Sequence, residues 1–228
     1  NEKLKALAIN GGTPVTTEGF PARGHFTNEE KAACDAVMDK AIAAGVAPGY
    51  GGEEEEAFCR EFAEMMGGGY ADAVSSGTAC VFVALTALEL EPYSEVIVGP
   101  VTDPGGIMPI VMANCIPIVA DSEKDNFNMS LESVKKLYTE RTRAIIVPHI
   151  SGEHADIENI CAFAKEKGLK VIEDCAQAHG ATVNGKRVGD FVFAPGWTSY
   201  EKRIQVQKYD VTDLMSEENL LEIYVGEG

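Results

Sequence analysis

No apolar run in this 228-residue chain approaches the length that a bilayer-spanning helix needs. The opening Asn1-Glu2-Lys3-Leu4-Lys5 is not followed by a long apolar stretch, which argues against a secretory signal. Basic residues are scarce: 19 against 36 acids, for a net charge of -17, with no Lys/Arg cluster. A general nucleic-acid binder needs a basic face, so that class is set aside. The acidity favours solubility and names no partner. None of the six cysteines (34, 59, 80, 115, 161 and 175) forms a C-x-x-C pair. Buried free thiols in a reducing cytoplasm are the expectation. No Cys/His grouping has metal-ligand spacing, so no metal is expected. A Gly-x-Ser-x-Gly nucleophile elbow is missing, and no G-x-G-x-x-G follows a strand pattern. Serine-hydrolase and dinucleotide readings lose their main support.

What is present is an alternation of short apolar runs and amphipathic segments. Leu7 to Val15 reads as an extended arm with a Gly-Gly break, and residues to 26 read as irregular. Thr27 followed by Glu30 is a capping-box pattern that opens a helix through Ala44, with Ala33, Val37 and Ile42 on its apolar side. Glu53 to Glu56 start a second helix as a solvated first turn, with Phe58, Phe62 and Met65 as its buried stripe. Strands are expected at Ala71–Val74, Glu95–Val98, Ile116–Val119, Arg143–Pro148 and Leu169–Ile172. Helices are expected at Ala79–Leu90, near Ile107–Ala113, after Ser130, and from Asp156 to Lys167. This alternation indicates βαβ units: an α/β fold around a mostly parallel sheet. Asn184-Gly185 is a two-residue hairpin signal. The expected division is an arm over residues 1–26, a main domain over 27–190 and a divergent tail over 191–228.

Two short stretches carry chemistry. Ser75-Ser76-Gly77-Thr78 lies between an expected strand and helix. Hydroxyls, a glycine and backbone N–H groups at a helix start suit a phosphate, although the same residues also make an ordinary N-cap. Val171-Ile172-Glu173-Asp174-Cys175-Ala176-Gln177 ends an apolar run in two acids. Ligands in open α/β sheets sit at the carboxyl ends of the strands. With a phosphate at Gly77 and Thr78, the Asp174 carboxylate can face a ring nitrogen and keep it protonated. Gln177 can bond the ring's phenolic oxygen. A protonated pyridine is the electron sink of pyridoxal phosphate chemistry. His149 ends a strand and reads either as a pocket residue or as a satisfied core histidine.

The stretches LAINGGTPV (7–15), VSSGTAC (74–80), EVIVGP (95–100), RTRAIIVP (141–148) and VIEDCAQAHG (171–180) resemble DegT-type sugar aminotransferases. The resemblance covers about Leu7 to Asp190. It implies the three-layer α/β/α large domain of fold-type I pyridoxal-phosphate transferases. It also implies transfer of an amino group from glutamate or glutamine to a keto group of a nucleotide sugar or cyclitol, by a homodimer. Ser76, Gly77 and Thr78 would hold the cofactor phosphate, Asp174 the pyridine nitrogen and Gln177 the ring oxygen.

The chain departs from that pattern twice. Asp103, in Pro100-Val101-Thr102-Asp103-Pro104, stands where many members have an aromatic residue that stacks on the ring. The lysine that attaches the cofactor is expected near position 200, which is Tyr200; Lys202 comes two residues late and without the usual neighbours. The family's C-terminal domain has no counterpart, so the chain reads as C-terminally truncated. An inactive relative that binds cofactor or a partner chain is therefore the alternative. A histidine-for-lysine dehydratase ranks low, because no histidine lies near 200.

Overall fold

The computed structural model describes residues 2–18, 26–48 and 52–191, together with the backbone of 205–206. Two compact units are present, Asn1–Gly52 and Glu53–Gly228.

The first unit holds α1 (Glu2–Lys5), a 3-10 turn (Ala8–Asn10) and α2 (Asn28–Ala44). The arm is thus not extended throughout: Gly11, at φ 89°, closes the turn with its N–H on the Ala8 carbonyl. The capping box at the start of α2 forms as its spacing dictates. Thr27 Oγ1 accepts from the Glu29 N–H at 3.1 Å, and the Glu30 carboxylate accepts from the Thr27 N–H. The Thr27 hydroxyl, which donates to the same carboxylate at 2.6 Å, and after it the Thr27 N–H hold the Glu30 carboxyl below its ordinary range. The apolar side expected on α2 is not buried within the chain, and Ile42 remains exposed.

The second unit is built on a parallel sheet. Its strands are β1 (Glu95–Val98), β2 (Ile116–Val119), β3 (Thr142–Pro148), β4 (Lys170–Asp174) and β7 (Gln205–Val206), in the order β2-β1-β3-β4-β7. The crossovers β1–β2, β2–β3 and β3–β4 carry α5 (Pro104–Met112), α6 (Leu131–Leu137) and α7 (Ile157–Lys167) in turn, while α3 (Glu53–Met65) and α4 (Gly77–Thr86) precede β1. Alternation along the central strands splits the core in two. Ile97, Ile145, Val147 and Val171 pack with Val134 of α6 and with Ile157, Ile160 and Ala164 of α7. Val96, Val98, Ala144, Ile146 and Ile172 pack with Cys80, Ala84 and Leu85 of α4 and with Ile110 of α5. Helices on both faces make three layers, and both faces of β3 are apolar, as a buried parallel strand requires.

Several elements differ from expectation. Ala71–Val74 forms no strand. A strand needs a partner edge for its backbone groups, and Ala71–Val74 pairs with none of the described strands; the outer edge of β4 is paired by β7, Glu173 opposite Gln205 and Asp174 opposite Val206. The last apolar strand runs on to include Glu173 and Asp174, and both acids are buried. Helix α5 starts earlier than expected, with Pro104 in its first turn, where a missing N–H costs nothing. Helix α4 ends at Thr86, short of Leu90. On α3, Phe62 is buried and stacks at 5.9 Å on a half-exposed Phe58, while Met65 is exposed and the neighbouring Met66 is buried. Ser130 and Asp156 occupy cap positions without a side-chain cap bond.

The hairpin signal is realised as β5 (Thr182–Val183) and β6 (Lys186–Arg187), with Asn184 and Gly185 at φ 52° and 82°. All six cysteines are free; Cys80, Cys115 and Cys175 are buried, and burial pushes the Cys161 thiol up to about 12. Among the described residues, no helix is long and apolar enough to cross a membrane.

Candidate active site

A cleft of about 410 Å³ opens at the carboxyl ends of β1, β3 and β4. Crevices outside the carboxyl ends of parallel strands are where α/β sheets take ligands. One wall is the start of α4. Ser76 adopts the extended cap conformation, and its Oγ accepts from the Ala79 N–H at 3.2 Å. Gly77 and Thr78 follow and line the cleft. A Cβ at Gly77 would meet nothing within 4 Å, so the space over this helix start is open. Thr78 is packed closely from below: a Cβ on Gly105 of α5 would lie 3.3 Å from the Thr78 Cα. Glycine at 105 therefore lets the starts of α4 and α5 meet.

The opposite wall is the end of β4. Asp174 is 9% exposed, and its Oδ1 accepts from the Ala176 N–H at 3.0 Å. Burial pushes its carboxyl above the ordinary range. The Ala176 bond pulls the other way, while Asp103 adds to the rise. Gln177 is held from two sides by the 151–152 turn. Its side-chain Oε1 accepts from the Ser151 N–H at 3.3 Å, and its backbone oxygen accepts from Gly152 at 2.8 Å. With that oxygen engaged, the amide N–H₂ is what Gln177 offers to the cleft.

The cleft therefore brings together Gly77, Thr78, Asp174 and Gln177, four of the residues singled out in the sequence. Ser76 sits beside them as the helix cap. Lys202 lies outside the described residues. Asp103 also lines the cleft, at the position just before α5 and with no cap bond of its own. It follows the carboxyl end of β1, and that placement alone marks it as facing the ligand edge.

His149 is both things that its sequence context left open: it lines the cleft and is fully satisfied. It is 1% exposed, its Nδ1 accepts from the Ala155 N–H at 3.1 Å, and its Nε2 meets Glu173 Oε1 at 3.3 Å. Glu173 points away from the cleft and is completely buried. Its two oxygens accept from the N–H groups of Gly189 and Phe191, both at 3.0 Å. Sequence reasoning missed these long-range bonds, for the partners are 16 and 18 residues away and are backbone groups. His149, Glu173 and Cys175 offer atoms within 4.8 Å of one another, a grouping that suits a metal ion. Both ring nitrogens and both carboxylate oxygens in it already have partners in the protein.

Residues 27–199 match the DegT/DnrJ/EryC1/StrS aminotransferase family. The chain belongs to this family. L-glutamine:2-deoxy-scyllo-inosose aminotransferase of Streptomyces fradiae is 32% identical over 202 residues, 88% of this chain and 48% of that protein. GDP-perosamine synthase of Vibrio cholerae is 37% identical over 140 residues, 61% of this chain and 38% of that protein. The crystal structure of NtdA from Bacillus subtilis, with bound cofactor PMP, matches with a TM-score of 0.65 at 27% identity. That match covers 72% of this chain and 37% of that one. The chain thus spans less than half the length of these relatives. A shorter match, over residues 176–228, is to the alpha-L-rhamnosidase N-terminal domain and overlaps the end of the family match.

Proposed function

We propose that this chain carries the pyridoxal-phosphate-binding part of an aminotransferase. The enzyme would move an amino group from glutamate or glutamine to a keto group of a nucleotide sugar or cyclitol. The observation that carries the reading is the pairing, across one cleft, of an open glycine-containing helix start with a buried carboxylate. When bound, pyridoxal phosphate supplies a protonated ring that takes up electron density from the amine.

The residues present fit that group. Open space over Gly77 leaves room for a phosphate against the backbone N–H groups of α4 and the Thr78 hydroxyl. Ser76 has its oxygen committed to the helix cap and its hydroxyl proton to give. Asp174 has one oxygen on Ala176, which aims the carboxylate, and the other is available to a ring N–H⁺. A cation there would favour the ionised form and offset its burial. Gln177, oriented by Ser151, presents N–H to an anionic ring oxygen. Asp103 places a second acid where a stacking side chain would otherwise lie, so in this chain ring packing falls to other walls of the cleft.

The division into an arm (1–26), a cofactor domain (27–190) and a tail (191–228), the role of Lys202 as the attachment lysine, the homodimer and the cytoplasmic location all belong to the same proposal. A second reading has its own observation: position 200 is tyrosine, and Lys202 lacks the expected neighbours. Under it, the chain binds cofactor reversibly without turnover. One experiment separates the two. Purified protein mixed with pyridoxal phosphate is scanned in the visible, reduced with borohydride and digested. A reduced adduct on Lys202 supports the catalytic reading. A spectrum that vanishes on dialysis, with no lysine adduct, supports the second, and no spectral change at all sinks both.

A further inference from the structure

We propose that Glu173 is a positioning residue, whose single buried carboxylate locks the ring of His149 into the cleft wall and ties that wall to the Gly189–Phe191 turn. Glu173 does not line the cleft, so it acts through its neighbours. Its effect on a ligand rests on the function proposed above; the hydrogen-bond arrangement does not.

The argument runs through donors and acceptors. The Ala155 N–H can only donate, so His149 Nδ1 at 3.1 Å must be the unprotonated nitrogen. In the neutral ring the proton is then on Nε2, which donates to Glu173 Oε1. The same oxygen accepts from Gly189, and Oε2 accepts from Phe191. These donors converge on one carboxylate, which is how a fully buried acid is tolerated. Four pieces of chain meet at this one group: the ends of β3 and β4, the 153–155 loop and the turn after β6. That turn is where the chain leaves the β5–β6 hairpin toward Lys202. With both ring nitrogens engaged, His149 offers the cleft a fixed ring rather than an acid or a base.

Glu173→Gln separates the contacts. A glutamine can turn its oxygen toward His149 and Gly189, but its N–H₂ then faces the Phe191 N–H, donor against donor. The loss of one charge-assisted bond should speed amide exchange at Phe191 roughly tenfold or more and leave the His149 tautomer as it was. Pyridoxal phosphate should bind the variant severalfold more weakly, because the wall is loosened without any contact to the ligand being removed. The measurements are the ¹⁵N spectrum of His149 in the unliganded chain, amide exchange at Gly189 and Phe191, and a pyridoxal phosphate titration. A protonated Nδ1 in the wild-type chain overturns the proposal without any variant, which keeps the test decisive should the glutamine variant not fold. Unchanged exchange at Phe191 or an unchanged cofactor affinity in a folded variant also overturns it. A wild-type chain that binds no pyridoxal phosphate, yet shows the expected tautomer and exchange, refutes the proposed function and upholds the hydrogen-bond network.

Discussion

Replacing Asp174 with asparagine should push stability and ligand binding in opposite directions. Asp174 is 9% exposed, and burial is the largest cause of its raised pKa. The folded state therefore holds a proton that the unfolded chain releases at lower pH. The sign follows directly: where the pKa is raised on folding, the unfolded state binds fewer protons between the two values, so stability falls as pH rises through that window. Above the folded pKa the full cost of ionising a buried acid is present. Asparagine removes that cost and keeps the Oδ1 bond to the Ala176 N–H at 3.0 Å. Each pKa unit is worth about 1.4 kcal/mol, and a kcal/mol moves the midpoint of a domain this size by about 2–4 °C. Asp174→Asn without cofactor should thus melt a few degrees higher than wild type at pH 7.5, with the gap closing as pH falls toward 4. Binding should go the other way. An adjacent carboxylate typically shifts a partner's protonation by about 1–3 units, so losing it should weaken pyridoxal phosphate by roughly 10- to 1,000-fold. The assays are thermal melts across pH and an absorbance titration. A variant that melts lower at pH 7.5, or that binds cofactor as tightly as wild type, refutes the reasoning.

Three further outcomes are expected. Gly77→Val adds a side chain into open space at the first residue of α4, so the melting point should hold while pyridoxal phosphate affinity drops at least tenfold. Gly105→Ala drives a Cβ against Thr78 where α4 and α5 meet, and overpacking should cost about 1–3 kcal/mol in denaturant unfolding. Asp103→Asn removes a charge that helps to raise the Asp174 pKa, so a carboxyl ¹³C titration should find Asp174 ionising at lower pH than in wild type.

The layout of the site was largely legible because its parts are local. Ser76-Gly77-Thr78 and Asp174-Cys175-Ala176-Gln177 each mark a boundary between elements, and the rule for parallel sheets puts such boundaries on one edge. Asn184-Gly185 turned a hairpin because asparagine and glycine tolerate positive φ there. Ala71–Val74 failed as a strand because pairing is not a local property. The helix α2 formed from its capping box and kept its apolar side exposed, since a cap specifies a start and says nothing of a partner.

By itself, the sequence determined the α/β class, the family and the four cleft residues Gly77, Thr78, Asp174 and Gln177, all read from short-range pattern. Only the tertiary structure decided what Glu173 and His149 do. Two adjacent acids at a strand end look alike in one dimension, but alternation turns one toward the cleft and the other away from it. Asp174 lines the cleft, and Glu173 meets backbone donors 16 and 18 residues later. That difference is set by which groups the folded chain brings within 3 Å, and no spacing in the sequence encodes it.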